Sequence, residues 1–150
     1  METRSVTKNR KAFHEYHILD RFEAGLELVG SEVKSLREGH ANLKESYATI
    51  RHGELILVGC HISQYSHTGF NGHEPLRDRR LLLHKKEIVK IKQSLSEKGL
   101  TVIPLSIYFK GSWAKIEIGL AKGKKLHDKK EAIKERDIKR DTDREMRKYK

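Results

Sequence analysis

Histidine is the first place to look for chemistry in this chain, which carries nine of them among 150 residues. His14-Glu15-Tyr16-His17 sets two imidazoles around a carboxylate, a superficial likeness to a zinc hydrolase. Such a site needs its histidines four apart, so that both fall on one helical face. Here the spacing is three, in a segment that reads as entering a strand, so zinc hydrolysis is not expected. His61, His67 and His73 follow one another at intervals of six in a glycine-containing loop. They read as surface polar residues, with RNA contact ahead of metal binding as the functional alternative. Lys122-Gly123-Lys124-Lys125 lacks both the glycine spacing and the following Ser/Thr of a phosphate-binding loop. No carboxylate pair and no Ser/His/Asp grouping can be placed by spacing. Catalysis is unsupported, and neither metal nor cofactor is expected.

The cations carry more information. Arg77, Arg79, Arg80, Lys85 and Lys86 lie on both sides of the apolar anchor Leu81-Leu82-Leu83. Together with Asn9, Arg10, Lys11, His14 and Tyr16 they would make a cationic, partly aromatic surface. That combination suits structured RNA, where guanidinium and ammonium groups meet phosphates while rings and arginine planes stack on unpaired bases. The competing readings are scattered solubilising charges and, for Leu81–Leu83, ordinary core packing. Over the whole chain 32 Lys+Arg oppose 21 Asp+Glu, a net charge of +11, and charged residues reach 35%. About 25% is usual, so part of the chain must be a polar extension. An excess of this size speaks to partners rather than to fold, and phosphate backbones are the commonest partner.

Several classes are set aside early. No apolar run approaches the roughly 18 residues of a membrane span. METRSVTKNRKAFHEY has neither the apolar centre of a signal peptide nor the pattern of a transit peptide. The single cysteine, Cys60, cannot pair internally and follows the apolar run Leu55-Ile56-Leu57-Val58, so it reads as a buried thiol. The expectation is a cytoplasmic, monomeric protein with no membrane partner.

Three zones organise these residues. Residues 1–12 are polar and basic and read as a flexible N-terminus. Residues 13–121 hold nearly all the large apolar side chains and are long enough for one core. Residues 122–150 carry 13 Lys/Arg and 7 Asp/Glu, a net +6, so more than half the excess charge sits in a fifth of the chain.

The middle zone reads mostly as strand. Candidates are Tyr16–Phe22, then Leu26 and Leu28 alternating with Glu27, and a hairpin from Tyr47–Ile50 through Gly53 to Leu55–Val58. Val102–Phe109 is rich in β-branched and aromatic residues, and its Pro104 predicts an edge strand or a bulge. Lys110-Gly111-Ser112 turns the chain into a strand from Trp113, where Ile116, Ile118 and Leu120 alternate with other residues. About six short strands with tight turns in so small a chain predict a closed β-barrel. Gly25, Gly30 and Gly119 are the candidates for its bulges. Apolar spacings of three and four predict a helix over His84–Lys98, ended by Gly99, and a shorter one over Glu32–Glu38, ended by Gly39.

The tail favours helix through its charges. Glu135–Lys139 and Asp143–Arg147 are acid-first pairs four apart, worth only about 0.2–0.5 kcal/mol each. A free helix of that length is marginal in water, so ordering on binding is expected. Ile138, Thr142, Met146 and Tyr149 would form a narrow stripe along it, and Asp128 would cap its start. A solvated extension is the plainer reading. The sharper one is a helix that folds inside an anionic channel.

Several blocks in order carry a family resemblance. Asn9-Arg10-Lys11-Ala12-Phe13-His14-Glu15-Tyr16, Phe22-Glu23-Ala24-Gly25-Leu26-Glu27-Leu28 and Gly30-Ser31-Glu32-Val33-Lys34-Ser35-Leu36-Arg37 are three of them. Arg79-Arg80-Leu81-Leu82-Leu83-His84-Lys85, Gly99-Leu100-Thr101-Val102-Ile103-Pro104-Leu105 and Gly123-Lys124-Lys125-Leu126-His127-Asp128-Lys129 continue the series. Together they resemble the SmpB family of SsrA-binding proteins, from residue 9 to about residue 130.

The resemblance implies an oligonucleotide-binding-like (OB-like) β-barrel with flanking helices, and no enzymatic activity. It implies a protein that binds the tRNA-like domain of transfer-messenger RNA (tmRNA, or SsrA RNA) and delivers it to stalled ribosomes. Elongation factor Tu would be met only indirectly, through the aminoacylated tmRNA. The tail would enter the empty message channel and reach the decoding centre as a helix. By matching positions the RNA-facing set is Asn9, Arg10, Lys11, His14, Tyr16, Glu23, Lys34, Arg37, Arg79, Arg80, Leu82 and Lys85. Glu23 is the odd member, since a carboxylate repels phosphate. It would either accept hydrogen bonds from base amines or hold a nearby cation in place. The ribosome-contacting set is Gly123, Lys124, Lys125, His127, Asp128, Lys129, Lys130, Arg136, Ile138 and Met146. Lys130 stands where the family pattern has arginine, which keeps the charge but loses the planar two-toothed fork. A constitutive ribosomal-RNA-binding protein of similar shape is the second reading, and a nuclease a distant third.

Overall fold

In the computed structural model of this chain, residues 3–64, 73–97 and 99–124 are described. Nine strands and three helices run in the order β1 (Thr3–Lys8), α1 (Arg10–Glu15), β2 (Tyr16–Leu26), α2 (Gly30–Arg37), β3 (Ala41–Asn42), β4 (Tyr47–Arg51), β5 (Glu54–Val58), β6 (His61–Ile62), β7 (Arg79–Leu82), α3 (Lys85–Leu95), β8 (Leu100–Lys110) and β9 (Trp113–Gly123). Six of them close a ring, β8-β4-β5-β7-β2-β9 and back to β8, while β1 adds to the outer edge of β8. All the pairings of this sheet are antiparallel. The short strands β3 and β6 pair separately. Inside the ring Leu55, Leu57, Ile107, Ile116 and Ile118 are fully buried, and Leu36 of α2 and Ile91 of α3 join the same cluster. Alternation with a period of two sends one face of each strand into this core and leaves the other for contact with the outside.

Two bulges decide which residues face outward. β8 shifts register against β9 between Pro104 and Ser106, so Leu105 is the inserted residue. Before it, Ile103 and Leu105 pack with Ala12 and Ala121 in a second small cluster under α1. After it, parity flips, and Ile107 and Phe109 point into the main core instead. Pro104 therefore marks a bulge in a central strand, not an edge. The second bulge lies in β2 at Leu19, between the Ile18 and Asp20 pairings with β9.

The glycines singled out as bulge markers do other things. Gly30 opens α2. Gly25 lies where β2 passes from β9 to β7, and a Cβ there would come within 3.2 Å of Leu82. Gly119 sits where an added Cβ would be 3.1 Å from both Ile18 and Leu105, so it is needed for close strand packing. The N-terminus also differs from expectation. Thr3–Lys8 is a paired strand and Arg10–Glu15 a short helix. A polar strand with little apolar alternation has no sequence signal of its own; its partner β8 supplies the hydrogen bonds. Likewise β2 runs unbroken from Tyr16 to Leu26, so Leu28 and Val29 of the second expected strand lie beyond it, and β9 runs on to Gly123, past the expected end of the middle zone. Helices α2 and α3 lie where the spacing predicts, α3 ending at Leu95.

A buried ion cluster ties α2 to the start of β7 and the segment just before it. Glu32 and Arg79 both have fully buried side chains. Arg79 donates from Nε to Glu32 Oε2 at 2.6 Å and from its terminal nitrogens to the carbonyls of Cys60 and Pro75. Arg77 donates to Glu32 Oε1 at 2.6 Å, and the Val29 N–H adds a further bond at 2.9 Å. Burial alone would raise the Glu32 pKa, but these hydrogen bonds and the neighbouring cations outweigh it and hold the carboxyl below its usual range. Cys60, next to this cluster, is buried as its apolar context predicts, and burial pushes its thiol up to about 11, away from thiolate chemistry.

Candidate nucleic-acid interface

Some of the expected RNA-facing residues fall into two outward patches at opposite ends of β2. One is built on α1. Asn9 caps this helix, accepting from the Ala12 N–H at 3.3 Å, while its own Nδ2 donates to the Pro104 carbonyl at 2.9 Å. The side chain is thereby consumed in pinning α1 to the β8 bulge, and only 8% of Asn9 is exposed. Its expected place on the RNA-facing surface is corrected: it positions the helix whose Arg10, Lys11 and His14 are exposed. Lys11 pairs with Glu15 at 3.3 Å. Tyr16 and Lys11 line a cleft of about 520 Å³ together with Glu45 and Tyr47. The described chain ends beside this patch, where the Lys124 N–H donates to the Glu15 carbonyl at 2.8 Å. Gly123 is the last residue of β9, opposite Tyr16. Lys125, His127, Asp128, Lys129, Lys130, Arg136, Ile138 and Met146, with the helix expected there, lie outside the described residues, as does His67.

The second patch surrounds Glu23, about seven residues and so roughly 20 Å further along β2. Glu23 accepts a hydrogen bond from the Tyr108 hydroxyl and two longer ones from Lys110 Nζ, at 3.3 and 3.4 Å. Here it is paired with a cation, Lys110. The Tyr108 hydroxyl does most to keep the Glu23 carboxyl below its usual pKa; burial opposes it, and Lys110 and then Lys115 add to the lowering. Burial and the Glu23 carboxylate together raise the Tyr108 hydroxyl pKa, so it stays a donor. Trp113, with 64% of its surface exposed, lines a cleft together with Glu23, Lys110 and Lys115. Leu82 is also exposed and packs beside Gly25, next along β2.

These two patches are joined across the outer face. The Arg21 guanidinium lies 5.3 Å from the centre of the Phe13 ring of α1 and reaches Glu117 at 3.5 Å. Glu117 is the strand partner of Glu23. Arg37 stands apart from both patches on α2, and Lys34 and Lys85 are exposed on their helices. Arg80 points outward but is shared between Glu54 at 2.5 Å and Glu27 at 2.8 Å. Arg79 is the second correction. It is 1% exposed, and its charge neutralises Glu32 inside the protein, so it cannot meet a phosphate in this fold. The run Arg79-Arg80-Leu81-Leu82 alternates in a strand, and alternation places Arg79 and Leu81 inward where the run of cations alone suggested one surface.

Sequence reasoning missed Tyr108, Lys110, Trp113 and Lys115 as a group. The signal was present: Ile116 and Ile118 inward require Trp113, Lys115 and Glu117 outward. Tyr108 was hidden by the bulge, which reverses the parity of β8. His73 is a further difference. It is buried, with Nδ1 2.8 Å from Ser31 Oγ and Nε2 2.8 Å from the Ile62 carbonyl, whereas His61 is exposed. Among the described residues no group of three His, Cys, Asp or Glu side chains is placed to hold a metal.

This outward face carries exposed cations and aromatic rings on a closed strand ring. The family model described as SmpB protein matches residues 6–148. The chain belongs to the SmpB family. It is 57% identical over 137 residues to an SsrA-binding protein of Prochlorococcus marinus subsp. pastoris, covering 91% of this chain and 78% of that relative. An SsrA-binding protein of Syntrophobacter fumaroxidans is 53% identical over 143 residues, 95% of this chain and 89% of that one. In three dimensions the chain is similar to one from a solved structure described as "tmRNA-SmpB: a journey to the center of the bacterial ribosome". The TM-score is 0.70 at 44% identity, over 85% of this chain and 93% of that one. The likeness therefore extends over most of the chain and is not confined to the short motifs.

Proposed function

We propose that this chain is the RNA-binding protein of trans-translation: it binds the tRNA-like domain of tmRNA and brings it to ribosomes stalled on messages without a stop codon. The observation that carries this reading is the match, at more than 50% identity and along nearly the whole chain, to proteins named SsrA-binding. The same match favours it over a constitutive ribosomal-RNA binder. In this reading the strand ring acts as an OB-like barrel. It offers exposed cations and Trp113 to the RNA, while Glu23 and Tyr108 hold Lys110 where a phosphate can reach it. Arg10, Lys11, His14 and Tyr16 form the second contact region, and Asn9 serves it from below.

Residues from Gly123 onward form the ribosome probe. Lys124, Lys125, His127, Asp128, Lys129, Lys130, Arg136, Ile138 and Met146 enter the message channel and order there as a helix, for which the net +6 of this segment is suited. The protein works in the cytoplasm as a monomer, meets elongation factor Tu only through the aminoacylated tmRNA, and leaves all chemistry to ribosomal RNA. The test is a reconstituted translation reaction on a message lacking a stop codon, supplied with aminoacylated tmRNA. Stalled peptides acquire the tmRNA-encoded tag only when this protein is added. Equal tagging without it would remove the proposal.

A further inference from the structure

Among the described residues the arginines differ in whether they meet a carboxylate. Arg21, Arg51, Arg77, Arg79 and Arg80 each meet a carboxylate within 3.5 Å. Arg10, Arg4 of β1 and Arg37 of α2 meet none among the described residues, and of these Arg4 and Arg37 line one cleft. Both guanidiniums lie over the Phe109 ring, at 5.8 and 5.1 Å from its centre, and Arg4 donates to the Arg37 carbonyl. Phe109 is 4% exposed and fixed in the core, so the ring is a rigid base for both. Thr3, Arg4, Arg37, Phe109 and Gly111 line an open cleft of about 270 Å³. Two cations lining one cleft, with no carboxylate among its lining residues, make it a favourable place for an anion. The planar fork of arginine matches phosphate oxygens in particular. The site also lies at the β8–β9 turn, because Thr3 pairs with Lys110, the residue Glu23 holds.

We propose that Arg4 and Arg37 form a two-arginine clamp for a phosphodiester group of bound RNA, carrying the RNA path around the β8–β9 turn from the Glu23–Lys110–Trp113 cleft. This rests on the RNA-binding reading above and deepens it. It adds a residue, Arg4, that lies outside the family blocks and in a segment with no fold signal of its own.

The experiment compares RNA affinity as a function of salt for three full-length proteins: wild type, the pair Arg4→Gln with Arg37→Gln, and the pair Arg4→Lys with Arg37→Lys. Glutamine keeps a donor for the Arg37 carbonyl but removes the charge. Each phosphate neutralised contributes about 0.7–0.9 to the slope of log affinity against log salt. The glutamine pair should bind the tRNA-like domain roughly tenfold more weakly at low salt, with a slope shallower by about one. The lysine pair should recover the slope but only part of the affinity. An unchanged slope and affinity in the glutamine pair, with wild type binding RNA well, would overturn the clamp and leave RNA binding standing. Wild type failing to bind RNA would instead bring down the underlying reading, and the clamp with it. A parallel titration with inorganic phosphate separates the sources. Saturable binding to wild type that the glutamine pair loses, with no change in its RNA slope, would assign the site to a free anion and overturn the proposal. Should the glutamine pair not fold by circular dichroism, Arg37→Gln alone carries the comparison, with about half the affinity effect on a logarithmic scale.

Discussion

Replacing Glu32 with alanine lowers the unfolding free energy by about 3–5 kcal/mol, because Arg79 is left charged, buried and without its counter-ion. For a domain whose total stability is about 5–15 kcal/mol, a loss of that size is close to unfolding at 37 °C. The carboxylate meets Arg77 and Arg79 at 2.6 Å each and also accepts from the Val29 N–H at the start of α2. It therefore joins the start of α2 to Arg77 and Arg79, 45 and 47 residues further along the chain. Glu32→Gln keeps an acceptor for Val29 but not the charge, and should fall between wild type and Glu32→Ala. The effect also depends on pH in a defined direction. The folded pKa of Glu32 is depressed, so its stabilisation is fully present above the ordinary glutamate pKa. It is lost as pH falls through the lower folded value, and the gap between wild type and variant should close in strong acid. Urea denaturation at neutral and acidic pH measures both. A neutral-pH difference under about 1 kcal/mol would show that the cluster contributes little net stability.

This cluster also shows where sequence reading stops. The spacing of Val33 and Leu36 was enough for α2, and the alternation of Ile116, Ile118 and Leu120 was enough for β9. Both are local patterns, repeated over a turn of helix or several strand positions. The Glu32–Arg79 pair joins residues 47 apart through a strand register that no local pattern encodes. A run of four residues with two arginines looks the same in a surface loop as in a strand with one buried edge. β1 and α1 were missed for the related reason that their order comes from a partner: β1 from the edge of β8, α1 from the Asn9 cap and the Leu105 bulge. The Glu23 motif was legible as a family block, but its hydrogen bond to Tyr108 depends on a bulge that reverses which side chains face out.

A chain cut after Leu126 should bind the tRNA-like domain within about twofold of full length while losing tagging altogether. The reason is structural on one side and proposed on the other. β9 ends at Gly123, and its pairings with β2 and β8 are complete before the cut, so the ring and both outward patches are retained. What is removed is the segment proposed to probe the message channel. Binding is measured with labelled tRNA-like domain, and tagging in the reconstituted reaction. A tenfold or greater loss of RNA affinity would mean that the tail takes part in RNA binding, and the division into docking ring and probe would fail.

The central claim is that the outer face recognises the shape of one RNA and does not merely attract any polyanion. The direct measurement is a competition assay across a salt titration, with the tRNA-like domain of tmRNA, an ordinary elongator tRNA and an unrelated RNA hairpin. A net charge of +11 by itself would bind all three alike, with affinity falling steeply as salt rises. The account predicts that the tRNA-like domain keeps an advantage of at least about a hundredfold over the hairpin near physiological salt, in the range of specific nucleic-acid recognition. Convergence of the three RNAs at that salt would contradict it, and would leave charge as the whole explanation of binding.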